Sequence, residues 1–310
     1  MHGKIFISIA AYCDSELENT IKSAIESADE PESLVFGIIN QSETALNLSH
    51  IPANIRLLNV AVQESYGVSW ARALAQTLYD NEEYYLQIDS HMWFEAGWDS
   101  LLINTLQKLP ELSIISCYPY GYERINGVAK QTVEVSDKTM LILRPHKNQC
   151  LTAENYTLTF EPRHLWIREP SLGCHIACGF LFTHGLFVED VPYDAQYYFH
   201  GEEQGLTIRA YTRGWNIYHI PHIPVYHWYK TPNSDYKAHH WHPVWKRDPE
   251  QVKHLQDRAQ ARLVKLINGD LIGAYGLGDR RSIKDFAHFS GIDYHHLSIT
   301  EPLRYNGFLS

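Results

Sequence analysis

Glu83-Tyr84-Tyr85-Leu86-Gln87-Ile88-Asp89-Ser90-His91 is the stretch that decides how this chain is read. A short, largely apolar run bounded by polar residues has the pattern of a buried strand, here ending at Asp89. In open α/β sheets, ligands bind outside the carboxyl ends of the strands. A carboxylate and an imidazole two residues apart on a turning chain can share one divalent ion. Manganese accepts both oxygen and imidazole nitrogen, and such an ion neutralises a diphosphate and eases its departure. Asp-x-His is a short pattern, however, and a strand-ending Asp is also a common turn former.

Upstream of that strand, the chain alternates between strand and helix patterns. Residues 4–10, 34–40 and 54–62 read as strands, and residues 14–28 and 68–79 as helices. Ser15 with Glu18 fits a capping box, and Leu17, Ile21 and Ile25 form an apolar stripe. Downstream, residues 98–109 read as a helix and 112–118 as a strand. This alternation implies βαβ units and a mostly parallel sheet. After Tyr118 the pattern changes to short β-like pieces, an excursion placed to wall a site. Residues 174–183 read as one apolar strand and 198–213 as a helix. Residues 216–228 read as an edge strand broken by Pro221 and Pro224. From Pro249 the tail is helical, with a glycine-rich interruption at 273–278.

The 310 residues carry 26 basic and 36 acidic side chains, 26 − 36 = −10 with His neutral. That balance disfavours nucleic acid and anionic membranes as partners. No segment approaches the apolar length of a membrane span, and the opening residues lack a secretory pattern, so the expected location is cytoplasmic. Five cysteines without a CxxC pair argue against a disulfide framework. Cys174 and Cys178, with His175 between them, read as buried thiols on a strand rather than as half of a zinc site.

Three further features gather around Asp89. The first is the opening Ile7-Ser8-Ile9-Ala10-Ala11-Tyr12-Cys13-Asp14, a strand ending in small and polar residues that leave room for a nucleoside. Tyr12 is placed to stack on the base. The second is Trp70-Ala71-Arg72, whose arginine can pair with a carboxylate or phosphate, or with a surface carboxylate alone. The third is Gly201-Glu202-Glu203, two carboxylates at a helix start, where the macrodipole also favours them.

With these pieces in order, the chain resembles the GlcNAc-transferases that modify a hydroxyproline on a cytoplasmic ubiquitin-ligase adaptor, and their bacterial relatives. The matching segments are the Ile-Ser-Ile-Ala-Ala-Tyr opening, Trp70-Ala71-Arg72, Gln87-Ile88-Asp89-Ser90-His91-Met92, Gly201-Glu202-Glu203, and Tyr275-Gly276-Leu277-Gly278 running into Arg281-Ser282-Ile283. More remotely it is similar to the polypeptide GalNAc-transferases. Trp93 stands where the GlcNAc-transferase family is expected to place a basic residue, so donor or acceptor details would differ. The resemblance implies an α/β GT-A (Rossmann-like) fold with a C-terminal helical extension. It also implies a UDP-sugar donor, a hydroxyl acceptor on a protein or glycan, a divalent cation (Mn2+ or Mg2+) and retention of anomeric configuration.

The expected organisation is one catalytic domain over residues 1–310. Residues 1–118 would bind the nucleotide sugar, 119–230 would face the acceptor and complete the metal shell, and 231–310 would form the extension. Asp89, His91 and His227 are the expected metal ligands, with His222 the second choice for the last. Glu203 and Glu202 are the expected catalytic carboxylates, with Glu203 near the anomeric carbon to stabilise positive charge or position the acceptor hydroxyl. Ala10, Ala11, Tyr12, Asp14, Arg72, Gln87, Asp89, Ser90 and Arg281 are expected around the donor. Residues 270–290 are expected to close over it, with Arg280 or Arg281 facing the diphosphate. His239, His240 and His242 read as a solvated cluster. A metal-dependent hydrolase and a sugar-binding module without turnover are the competing readings.

Overall fold

The computed structural model describes residues 2–125, 128–132, 140–229, 240 and 247–302. The first part of the chain runs β1 (Ile5–Tyr12), α1 (Leu17–Ser27), β2 (Leu34–Ser42), β3 (Asn54–Ala61), α2 (Val68–Gln76), β4 (Tyr84–Ile88), β5 (Met92–Phe94), α3 (Trp98–Leu106) and β6 (Ser113–Ser116). The middle adds β7 (Tyr120–Ile125), β8 (Val128–Gln131), β9 (Met140–Pro145), β10 (Phe160–Leu165), β11 (Ser171–Gly173), β12 (Phe180–His184), α4 (Leu186–Asp190), α5 (Glu202–Thr212), β13 (Asn216–His219) and β14 (Val225–His227). The tail holds α6 (Pro249–Ile267), α7 (Ile283–Ser290), β15 (Ile292–Asp293) and β16 (Ser298–Ile299).

Eight strands form the central sheet in the order β11-β13-β6-β12-β4-β1-β2-β3. Pairs β1–β2, β1–β4, β2–β3 and β6–β13 are parallel, while β12 runs antiparallel to both neighbours and β11 to β13. The centre of the sheet is buried on both faces, as β1 shows, while the edge strand β3 is largely exposed. Successive side chains of a strand point to opposite faces. Ile5, Ile7, Ile9 and Ala11 therefore pack with Leu17 and Ile21 of α1 and Trp98 and Leu102 of α3. Phe6 packs on the other face with Phe187, Leu206, Ala210 and Trp215. A third apolar cluster joins Ile208 and Tyr211 of α5 to Leu263 of α6, Phe286 of α7 and Tyr294. The tail is thus seated on α5.

Several local readings change. The start of α1 carries no capping box; its backbone at Glu16 is met instead by Asp14 Oδ1 at 2.9 Å. Residues 174–183 are not one strand. β11 and β12 lie at different places in the sheet, and the buried link between them carries His175 and Cys178. Residues 216–228 are not an edge: β13 lies between β11 and β6, and β14 between β5 and β7. The two prolines fall in the link between β13 and β14, where no ladder hydrogen bond is needed. The helix expected from 198 begins only at Glu202, because Gly201 adopts φ +82, a left-handed conformation that interrupts it. No helix among the described residues is long and apolar enough to cross a membrane.

Candidate active site

Asp89 is the first residue out of the sheet after β4. The chain turns through Ser90 and re-enters β5 at Met92. β14 runs antiparallel to β5 with His227 opposite Met92, and Trp228 N–H donates to His91 O at 3.0 Å. That register brings the His91 and His227 Nε2 atoms to 2.9 Å, and His227 Nε2 to 3.3 Å from Asp89 Oδ2. One ligand atom from each of the three lies within 4.8 Å of the others, and no second such group occurs among the described residues. Two imidazole nitrogens and a carboxylate oxygen converging on one point fit a divalent cation. His222, by contrast, sits with Glu95 at 2.6 Å, half-exposed and outside the group.

The cluster has its own support. His91 Nδ1–H faces Asp14 Oδ2 at 2.7 Å, and the same oxygen accepts from Ser90 Oγ at 2.5 Å. A carboxylate behind an imidazole fixes its tautomer and turns the other nitrogen's lone pair outward. Asp89 accepts from Arg72 Nη2 at 2.7 Å. Burial alone would push its carboxyl up, but the His227 hydrogen bond and the charges of Arg72, His227 and His91 hold it far below the ordinary carboxylate range. Gly179 lies against it, so that a Cβ there would stand 2.7 Å from Asp89 Oδ2. A side chain at 179 would displace the carboxylate.

Opposite this cluster, α5 points its first turn at the same cavity, about 370 Å³, which Asp89, His227, Glu202 and Glu203 help to line. Carboxylates at a helix N-terminus are favoured by the backbone dipoles. Glu202 is buried, accepting from Arg72 Nη1 at 2.5 Å and from the Tyr193 hydroxyl. Glu203 accepts from Cys178 N–H at 2.9 Å, His175 Nε2 at 3.1 Å and Tyr118 OH at 3.2 Å. Burial raises the Glu203 carboxyl, yet the His175 and Cys178 hydrogen bonds and nearby positive charge outweigh it and leave the group below its ordinary 4.5. Gln204 faces away. Its amide oxygen accepts from Leu158 N–H at 2.7 Å, and its nitrogen donates to Tyr156 O and Tyr294 OH. It ties down the loop that supplies Leu158, Thr159 and Phe160 to the cavity wall.

The structure therefore brings Asp89, His91, His227, Arg72, Glu202 and Glu203 together and places the other expected residues differently. Asp14 and Ser90 orient His91. Gln87 is fully buried, donating to Cys178 O at 2.8 Å and accepting from Tyr85 OH, so it shapes the strand ends. Ala10 and Ala11 lie in β1 just before its last residue, Tyr12, and Ala11 O accepts from Gln41. Tyr12 is covered by His240, with ring centroids 5.1 Å apart, and accepts from Arg247. His240 is not solvated: it is buried, 2.6 Å from Tyr198 OH and 3.0 Å from Ser65 O, and burial lowers its pKa to about 4. His239 and His242 lie outside the described residues. Arg281 donates to Trp215 O, Gly214 O and Asn216 Oδ1, and its guanidinium lies over Tyr211. Those partners sit at the far end of α5 from the cavity, and neither Arg281 nor any other of residues 270–290 is among the residues that line it. Arg280 is held there as well, its backbone N–H donating to Thr212 O.

His175 and Tyr118 join the site without being singled out by the sequence patterns. A signal existed for His175: an imidazole inside the apolar run Cys174-His175-Ile176-Ala177-Cys178 must find a polar partner. Tyr118 and Tyr193 carry no such mark.

A model of the glycosyltransferase (GlcNAc) family matches the chain over residues 4–50 and 42–296. No curated protein matches it. Among solved structures, the crystal structure of GalNAc-T7 with UDP, GalNAc and Mn2+ is similar at TM-score 0.56 and 14% identity, over 92% of this chain. This chain spans 54% of that one. S. aureus TarS 1–349 in complex with UDP gives TM-score 0.48 and 14% identity, covering 88% of this chain and 68% of that one. The same protein in complex with UDP-GlcNAc gives 0.49 and 14%, covering 88% and 69%. The GalNAc-T7 likeness is one of fold, and the fold is GT-A.

Proposed function

The chain belongs to the glycosyltransferase (GlcNAc) family, and from that premise we propose that it moves GlcNAc or a similar sugar from UDP to a hydroxyl, with retention. One observation carries the reading: the Asp-His-His cluster and the carboxylate of Glu203 face one another across a single cavity. The GT-A fold shared with a protein crystallised with UDP, GalNAc and Mn2+ supports a uridine-linked donor and manganese. Asp89, His91 and His227 would hold the ion, manganese or magnesium, whose charge favours departure of the diphosphate.

In the transfer, the bond from the anomeric carbon to the diphosphate oxygen breaks and its electron pair leaves with UDP. The acceptor oxygen bonds to that carbon on the face just vacated, and its proton passes to a departing phosphate oxygen. No protein base is required. Gln204, beside Glu203, is engaged with the 156–158 loop and offers none. Glu203 stabilises positive charge near the anomeric carbon or orients a hydroxyl. The acceptor is a hydroxyl on a protein, a glycan or a lipid-linked precursor. All five cysteines are free thiols, which supports a reducing, cytoplasmic setting.

The test is UDP release from UDP-GlcNAc with Mn2+, with and without a mixture of acceptors, followed by NMR coupling constants on the product. Release to water alone makes the protein a hydrolase. Tight donor binding without release makes it a binding module. A β-linked product makes it inverting.

A further inference from the structure

The polar surroundings of Glu203 are unequal on its two oxygens, and that inequality has a consequence for the reaction. A carboxylate offers about four lone-pair directions, two on each oxygen. Oε2 receives both His175 Nε2–H at 3.1 Å and the Tyr118 hydroxyl at 3.2 Å. Oε1 receives Cys178 N–H at 2.9 Å. Three directions are filled among the described residues, and the fourth belongs to Oε1. The His175 ring is packed in place. It lies flat on Phe160 with centroids 3.4 Å apart and planes within 3°. It is buried, and its Nδ1 has no hydrogen-bond partner among the described residues. Glu203 is thus its polar anchor.

We propose that His175 and Tyr118 are positioning residues that occupy Glu203 Oε2 and so present Oε1 to one substrate hydroxyl. The inference rests on the transferase reading and assigns the device that orients its carboxylate. An anion with three donors is a poor proton acceptor, so this arrangement makes Glu203 an orienting and charge-stabilising group rather than a general base. The groups facing it come from several elements. They are Tyr118 after β6, His175 and Cys178 in the link before β12, Arg72 on α2, Glu202 on α5 itself and Tyr229 after β14. The positive and hydrogen-bonding members outweigh burial, and the carboxyl sits below its ordinary value. Its charge is therefore complete above the ordinary pKa and is lost only as pH falls through the lowered one.

The experiment combines two readouts on the full chain. Glu 13Cδ labelling, with the Glu203 signal assigned by its loss in Glu203→Gln, follows the carboxyl through a pH titration by NMR. UDP release from UDP-GlcNAc with Mn2+ gives kcat and KM across the same range. His175→Phe keeps a ring on Phe160 and removes the N–H. The Glu203 midpoint is expected to rise by about one pH unit. The acid limb of kcat is expected to follow it, and kcat to fall roughly 10- to 100-fold with donor KM within about twofold. His175→Gln, which restores an N–H, is expected to recover most of both. If His175→Phe does not fold, Tyr118→Phe is expected to move the midpoint in the same direction by less. A midpoint that stays in place in the folded variant overturns the proposal, as does a loss of thermal stability with kcat and midpoint unmoved. If the midpoint moves as expected while even the unsubstituted protein turns over no UDP-sugar, the transferase reading fails and the assignment of the Glu203 cradle stands.

Discussion

The two ends of α5 hold charged side chains in opposite ways. At its N-terminal end, Glu202 and Glu203 meet Arg72, His175 and, across a cavity, the Asp89–His91–His227 cluster. At its C-terminal end, about 16 Å away by helical rise over 11 residues, Arg213 donates to the carbonyls of Gly273, Ala274 and Gly276. Arg281 donates there to the carbonyls of Gly214 and Trp215. Both ends follow the helix dipole, anions at the start and guanidinium groups at the finish. The lesson is in the partners. Guanidinium groups closed onto backbone carbonyls form a clasp that seats the tail. Carboxylates and imidazoles that converge on a cavity are placed to meet a ligand there.

The contrast predicts unequal consequences, and the largest lie at the cavity end. Asp89→Ala is expected to lower turnover by about a thousandfold or more, in line with removing a ligand that supports leaving-group charge. Its circular-dichroism spectrum should be unchanged. Near-normal activity in the presence of a chelator would remove the cluster from the mechanism. Next in size, Glu203→Gln is expected to reduce kcat by roughly 100- to 1000-fold, the range for losing a preorganised electrostatic group. UDP-sugar affinity by calorimetry should stay nearly constant. Equal losses in kcat and affinity would instead make Glu203 a ground-state binding residue.

Asp14→Asn tests the support one step back. The carboxylate that fixes His91 is replaced while the ring and its neighbours remain, so metal affinity should fall about 10- to 100-fold. Titration of Mn2+ against activity and against bound metal measures it, and an unchanged affinity would mean that Ser90 and the β5–β14 pairing orient His91 without help. Smallest for activity is Arg281→Ala at the clasp end. It should leave UDP affinity and turnover as they are while costing about 1–3 kcal/mol of stability in chemical denaturation, because carbonyl partners are left unmet. A selective loss of UDP affinity there, with stability intact, would return the tail to the donor site and break the comparison between the two ends.

The outline of this protein was legible in its residue order. The apolar run into Asp89 marked β4, the helix-and-strand alternation marked an α/β sheet, and Asp-x-His marked the strand end where ligands gather. Those features are local, set by periodicity and by which residue types tolerate burial. His227 was reachable because family resemblance asks for a late histidine, and the antiparallel pairing of His227 with Met92 delivers it. What the fold alone decided was the partner of each polar group. Arg72 and Arg281 are the same residue type near similar glycines, yet one is clamped between Asp89 and Glu202 and the other on main-chain carbonyls. Asp14 stands 77 residues from the imidazole it orients, and His175 stands 28 from the carboxylate it anchors. Hydrogen bonds and ion pairs of such sequence separation depend on which elements cross in space. Spacing along the chain carries no record of that, because a side chain's partner is chosen by sheet order and register.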